Sequence, residues 1–449
     1  MALTFKSGIH PPDFKQFSAK KPLEIAKRPT EVIVPMGQHI GAPAKPIVAK
    51  GDRVLAGQVI GEAGGFVSAP IHSPVSGTVK KIADHAHAMG GKKPAVIITV
   101  DEGEDEWQLM EPITDLDRVD PKKLVERVRE AGIVGMGGAT FPTSVKLVPP
   151  PGNEFDTVIL NGAECEPFLT CDHRMMLEKG EEIVKGLEIL LKITGAERGI
   201  IGIEDNKPDA IAHLRELTKH TARIEVGSCH VKYPQGAEKQ LIKALTNREV
   251  PPGELPFAVN VLVQNVATAY AIWDAVINGK PLVERAVTIT GPLVKNPKNL
   301  WAKVGTPVGE LVEQAGGFKK PSGRFIMGGP MMGMAQHQFD LPMTKGTSGL
   351  LFLPPAPPKS FIATPCIGCA SCVDVCPMNL VPSFAAQFAA AGMLDEAEKY
   401  GAGDCIECGC CSFVCPAKRH LVQEIKLLKP AVLKRRAERA KAKKEAAAS

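Results

Sequence analysis

Two cysteine runs, Cys366-x2-Cys369-x2-Cys372-x3-Cys376-Pro377 and Cys405-x2-Cys408-x2-Cys411-x3-Cys415-Pro416, constrain this chain more than any hydrophobic pattern in it. A step of three residues lets three thiolates close on one metal centre from a single loop, and the proline then turns the chain away. Zinc sites use paired C-x2-C units, which leaves the third cysteine and the Cys-Pro ending unexplained. Iron and sulfide account for both. Cys410 lies beside Cys411 and out of register, so it reads as non-ligating, and Cys165, Cys171 and Cys229 read as buried thiols. Between the runs, Phe384, Phe388, Met393 and Leu394 fall at helical spacing and predict a helix from Ser383 to Tyr400.

The spacing is similar to that of bacterial two-cluster ferredoxins, in which the fourth cysteine of each run ligates the other run's cluster. That resemblance implies one [4Fe-4S] cluster on Cys366, Cys369, Cys372 and Cys415, and a second on Cys405, Cys408, Cys411 and Cys376. Crossing holds the two clusters close together, which suits electron transfer between them. A cluster moves one electron at a time, so the remaining chain is searched for a source.

At 449 residues the chain exceeds a single ordinary core and suggests about three or four domains. With 44% hydrophobic and 23% charged residues it has a globular composition. It has no apolar run long enough to span a bilayer, and the opening MALTFKSGIHPPDFK lacks an apolar signal core, so export is not expected. Clustered cysteines without a signal point to metal sites in a reducing cytoplasm. The net charge of +5 is concentrated in the tail, where Lys426 to Lys444 carries nine Lys or Arg against one acidic residue. That excess bears on the tail's contacts, with lipid or an acidic partner or with solvent alone, and no nucleic-acid binding is expected.

Upstream, GIVGMGGATFPTSVK (132–146) follows an amphipathic stretch from Lys122 to Ala131. Gly135, Gly137 and Gly138 let backbone amides approach a phosphate, and Lys146 adds a charge. Thr140 stands where a dinucleotide fingerprint has its third glycine. Further on, VILNGAECEPF ends a strand at Asn161, Glu164 and Glu166, YPQGAEKQL spans Tyr233 to Leu241, and VLVQNVATAYAI runs from a strand through Gln264, Asn265 and Thr268 into a helix. Strands near 199–203 and 222–226 alternate with helices near 181–193 and 208–219, which predicts a mostly parallel, Rossmann-like sheet with ligands at its carboxyl ends.

These motifs resemble the flavin- and NADH-binding subunit of respiratory complex I, over roughly residues 120–275. The resemblance implies that Gly135, Gly137, Gly138 and Lys146 cradle FMN phosphate and that Asn161 and Glu164 edge the isoalloxazine. It implies Gln264, Asn265 and Thr268 near the ribityl–phosphate end. Phe141, Glu166 and Glu238 fall on the NADH side, with Tyr233 and Gly236 in the same binding motif. Ala237 departs from the family's first Glu, and Gln264 from its usual Asn.

The flanks complete the organisation. Within 1–110, the K-G-D-x-V-x-x-G-Q and SPVSGTV segments are similar to the barrel-sandwich hybrid of biotinyl and lipoyl domains. The hairpin tip reads Ala63-Gly64-Gly65-Phe66, without the lysine that carries a swinging arm. Residues 111–283 form the flavin unit, 284–350 look like a β-grasp (SLBB) module, 351–425 hold the helical two-[4Fe-4S] unit after the linker FLPPAPPKS, and 426–449 are a basic tail. The expected fold is thus multidomain, α/β and β.

This order of units resembles the RnfC family, a component of Rnf-type ion-translocating ferredoxin:NAD oxidoreductases. The resemblance implies a peripheral electron-input/output subunit on the cytoplasmic face of the membrane, working with NAD(H), FMN and two clusters. Hydride exchange with NAD(H) at a flavin would feed single electrons to the clusters. The implied partners are ferredoxin-like and membrane flavoprotein subunits, with ferredoxin reached indirectly. A soluble cobalamin reductase with the same modules, but with its barrel at the other end, is one alternative. An electron-transfer scaffold without NADH chemistry is another.

Overall fold

The computed structural model describes residues 3–321, 323–356 and 362–448. Its centre is a four-stranded parallel sheet in the order Ile224–Cys229, Arg198–Glu204, Thr157–Asn161, Val261–Asn265. These strands read as near-continuous apolar runs because both faces are covered. Val158, Leu160, Ile201 and Leu262 pack on one side with the helices Pro121–Glu130, Gly180–Thr194 and Val266–Ile277. Ile159, Ile200, Val261 and Val263 face the other way, against Leu241, Ile242 and Leu245 of the helix Glu238–Thr246. Chain order reverses between Thr157–Asn161 and Val261–Asn265, and these two strands end side by side with Asn161 paired to Asn265. A parallel sheet opens its ligand crevice at such a point.

The barrel-sandwich hybrid consists of a four-stranded sheet, built on Gly77–Ala86 and Lys92–Val100, and a three-stranded sheet around Val59–Glu62. Val32, Val34, Ile60, Ile71, Val79 and Ile98 fill the space between them. At its tip, Phe66 is 84% exposed and a side chain on Gly64 would collide with the Pro43 carbonyl at 2.2 Å.

The β-grasp unit is a six-stranded sheet that includes Glu284–Thr290, Lys298–Lys303 and Gly349–Leu353. Its first strand, Leu23–Ile25, comes from the chain's beginning and pairs in parallel with Asn299–Trp301. The opening residues, grouped by sequence with the barrel, therefore belong in space to other units. Such long-range strand addition leaves no local signature. Phe352 and Leu353 lie in the last strand, so the proline-rich connection starts after them, and its residues 357–361 lie outside the described residues.

In the cysteine unit, the expected single helix is two, Pro382–Ala390 and Leu394–Lys399, separated at Gly392 with φ +71°. The basic tail belongs to a 28-residue helix, Leu421–Ala448. Leu421, Ile425 and Val432 bury its inner face. Its cations meet acidic residues of the same unit: Arg436 pairs with Glu398 and Asp404 at 3.0 Å each, Arg435 with Asp395 at 3.1 Å, and Arg439 with Glu398 at 3.0 Å. The acidic partner of the tail's first half is thus the chain itself.

Candidate functional site

The glycine-rich segment forms a tight excursion whose base closes through Gly135 N to Phe141 O (3.0 Å) and Thr143 N to Ile133 O (3.0 Å). Its tip is fixed by Met136 N donating to the Thr268 hydroxyl at 3.0 Å. Thr268 is fully buried, so it anchors the turn. Asn265 caps the helix Val266–Ile277 through Ala267 N (2.8 Å). Its amide also donates to Asp172 (2.7 Å) and reaches the Asn161 carbonyl at 3.5 Å. A Cβ on Gly137 would stand 2.8 Å from Asn265 Nδ2, so only glycine lets the turn lie on this asparagine. Asn161 donates to the Gly236 carbonyl at 2.7 Å. Across the crevice, Lys146 and Glu238 pair at 2.5 Å, both part-exposed. Gly137, Asn265, Asn161, Gly236, Glu238 and Lys146 thereby form one rim around the switch point of the sheet.

Other expected residues are committed elsewhere. Glu164 accepts from Asp172 N (2.7 Å) and His173 N (3.3 Å), holding the start of the helix Cys171–Glu178. Glu166 accepts from Met331 N (3.1 Å) and Met332 N (2.8 Å) of the β-grasp turn. Burial pushes its carboxyl up to about 7 against those two amide bonds. Burial, then the neighbouring Glu164, raises Asp172 as well. Tyr233 is 2% exposed and its hydroxyl donates to the Cys408 carbonyl at 2.9 Å.

Two lysines that no sequence motif singles out sit beneath this loop. Lys15 Nζ donates to the carbonyls of Glu164 (2.8 Å), Glu166 (3.1 Å) and Leu169 (2.6 Å). Lys207 Nζ donates to the Ala163 carbonyl (2.6 Å) and pairs with Glu204 (3.2 Å). Lys15 and Glu164 stand 149 positions apart, so no sequence spacing points to the contact.

The rim fits a flavin phosphate site. Gly138 has nothing within 4 Å of its Cβ direction, beside amides of a glycine turn and a helix N-terminus. The buried Gln264 leaves its amide nitrogen unpartnered, and Gln235, fully buried between Tyr233 and Gly236, leaves both amide atoms unpartnered. Native interiors satisfy such groups, so these amides suit a polar ligand.

In the cysteine unit, Cys376, Cys405, Cys408 and Cys411 line one cavity together with Cys410. Burial, then neighbouring thiols, holds Cys411 at about 12, and burial holds Cys405 at about 11. Four sulfurs on one cavity form the donor set of an iron–sulfur cluster, and binding one would strip their protons. Cys410 directs its sulfur toward the Tyr233 carbonyl at 3.9 Å. Cys366 and Cys369 are exposed, Cys372 is buried and Cys415 is intermediate. Thr364 N bonds to Ala417 O at 2.9 Å, laying the segment that leads to Cys366 along the Cys415 end of the second run.

A parallel sheet with a polar rim at its switch point, joined to paired four-cysteine sets, is the arrangement of a flavin and iron–sulfur oxidoreductase. Residues 3–103 match the family described as RnfC barrel sandwich hybrid domain, 128–274 the Nuo51 FMN-binding domain, 286–335 the SLBB domain and 359–416 the 4Fe-4S dicluster domain. The chain is 48% identical to the C subunit of the Na(+)-translocating ferredoxin:NAD(+) oxidoreductase complex of Acetobacterium woodii, over 96% of this chain and 98% of that one. It is 46% identical to the proton-translocating counterpart of Clostridium ljungdahlii, over 96% of this chain and 94% of that one. It is also 38% identical to the C subunit of the ion-translocating oxidoreductase complex of Pasteurella multocida, over 89% of this chain and 48% of that longer protein. The chain belongs to this RnfC family.

Proposed function

We propose that this chain is the peripheral electron-input/output subunit of a membrane-bound ferredoxin:NAD oxidoreductase, exchanging reducing equivalents with NAD(H) and passing single electrons through two [4Fe-4S] clusters. The observation that carries the reading is the segment Tyr233–Gln240. Within eight residues it touches the flavin rim, through Gly236 and Glu238, and the cysteine cavity, through Tyr233 and Gln240. FMN, when bound, supplies conversion between the two-electron chemistry of a nicotinamide and the one-electron chemistry of a cluster.

The chain's own residues do the rest. Gly135, Gly137 and Gly138 bring backbone amides to the phosphate, and Lys146 adds charge opposite Glu238. Asn161 and Asn265 orient the ring and ribityl side, with Gln264 behind them. Cys366, Cys369, Cys372 and Cys415 hold one cluster, and Cys376, Cys405, Cys408 and Cys411 hold the other. Among the described residues no helix is long and apolar enough to cross a membrane. Attachment on the cytoplasmic face therefore runs through other subunits of the complex, ferredoxin-like and membrane flavoproteins, and ion movement belongs to them.

Anaerobic reconstitution with iron, sulfide and FMN tests the reading. About eight irons per chain, flavin bleaching on NADH addition and a cluster EPR signal are expected. Intact cofactors that stay oxidised under NADH would sink the NADH half. Cys415→Ala should damage the cluster of Cys366, Cys369 and Cys372, and Cys376→Ala the other; loss of each variant's own-run cluster would refute the crossing.

A further inference from the structure

We propose that Tyr233 and Gln240 are positioning residues for the cluster held by Cys376, Cys405, Cys408 and Cys411, raising its reduction potential through hydrogen bonds to its ligand loops. The inference rests on the two-cluster reading above and departs from the cofactor-binding motif in which the complex I resemblance places Tyr233.

The geometry around Tyr233 is closed. Its backbone exchanges two 2.8 Å bonds with Ile9, which fix the main chain. Its ring lies in a buried group with Ile9, Cys408 and Cys410, against Met331, Val375 and Ile406. From there the hydroxyl reaches only inward, to the carbonyl of Cys408 at 2.9 Å. In the first turn of the helix Glu238–Thr246, Gln240 Nε2 donates to the carbonyl of Pro377 at 3.1 Å, directly after Cys376. From the C-terminal helix, Lys429 Nζ donates to the carbonyl of Cys405 at 2.7 Å. Three side-chain donors thus converge on the ligand loops of one set, two at the carbonyls of ligand cysteines and one at the residue after Cys376.

Reduction adds a negative charge to a cluster, and donors whose positive ends point at the ligand loops stabilise that charge. A tyrosine packed against a ligand loop also excludes water, which fixes how strongly the donor acts. The flavin rim meets the middle of the same segment, where Asn161 holds Gly236 and Lys146 pairs with Glu238. One rigid stretch of eight residues therefore sets both the spacing between the two sites and the potential of the nearer cluster.

The test is anaerobic, dye-mediated EPR titration of the reconstituted full chain, with the two cluster signals assigned by Cys376→Ala and Cys415→Ala. Tyr233→Phe keeps the ring and removes only the donor. Gln240→Leu, on a different element, keeps the packing and removes the second donor. A neutral hydrogen bond is worth about 1 kcal/mol, roughly fivefold in an equilibrium, and only its strengthening on reduction moves a midpoint; at 59 mV per tenfold for one electron the ceiling is about 40 mV. Each variant should lower the midpoint of the Cys376/Cys405/Cys408/Cys411 cluster by a shift up to this ceiling while the other cluster stays fixed. Unchanged midpoints in fully loaded variants overturn the inference, and so does an equal shift of both clusters, which would mean general loosening. A wild-type chain that loads fewer than two clusters instead overturns the reading beneath it.

Discussion

Replacing Lys15 by Met keeps an apolar stem of similar length and removes the ammonium that closes three carbonyls, those of Glu164, Glu166 and Leu169. Hydrogen bonds to a charged donor are each worth about 1.5–3 kcal/mol, so the three together give roughly 4.5–9 kcal/mol gross. Against this stands the cost of keeping an ammonium out of water, several kcal/mol even after relaxation. Burial lowers the Lys15 pKa, which is the same cost seen in titration. The net loss expected is about 3 kcal/mol, or roughly two powers of ten in the opening equilibrium of the loop 162–169.

The loss is local, because the parallel sheet and its helices make no use of Lys15. Hydrogen exchange of peptides covering 162–169 should accelerate by about that factor, while peptides from the strand Arg198–Glu204 keep their protection. FMN affinity, followed by quenching of flavin fluorescence, should fall as well, since the loop continues directly from Asn161. Unchanged exchange in this loop would refute the reasoning, as it would mean that water satisfies the three carbonyls as well as the lysine does.

Two further outcomes follow from single positions. Nothing lies within 4 Å of a Cβ built on Gly138; Gly138→Ala should leave the stability of the flavin-free chain unchanged yet weaken FMN binding at least tenfold, and equal FMN affinity would remove the phosphate from this turn. His72 meets Gly132 and Lys345 where barrel, flavin unit and β-grasp unit join, and burial, then the Lys345 charge, lowers its pKa from 6.5 to about 3. The unfolded chain binds this proton first, so stability should be fully present above pH 6.5. It should fall by up to about 1.4 kcal/mol per pH unit below that, an acid slope that denaturant titrations should find reduced in His72→Gln.

The units were legible in the sequence where their signal is local. Thr157–Asn161 and Val261–Asn265 are short apolar runs, the second breaking directly into helix-forming sequence, and they form adjacent parallel strands whose last residues pair. The cysteine runs carry their chemistry in their spacing, and Cys376 does share a cavity with Cys405, Cys408 and Cys411. The basic tail was legible as an excess of charge but not as a docked helix, because its partners Asp395, Glu398 and Asp404 form an acidic patch only once the helix Leu394–Lys399 and its following turn are folded.

The side chains of the site were less legible, and the reason is the same at each. A motif fixes where a residue stands along the chain, whereas its role depends on which unit closes over it. Glu166 stands at a strand end, as its motif requires, but the Gly329–Met332 turn of another unit covers it; a Cβ on Gly329 would lie 2.2 Å from its carboxylate. Tyr233 lies in a motif next to the flavin rim, yet the segment around Ile9 and the loop at Cys408 enclose it from two sides. Both residues sit where separate units meet, and contacts of that kind have no periodicity or spacing by which to be read. They are also the positions through which one unit can act on the cofactors of another, so the least legible residues of this chain are those that couple its flavin site to its clusters.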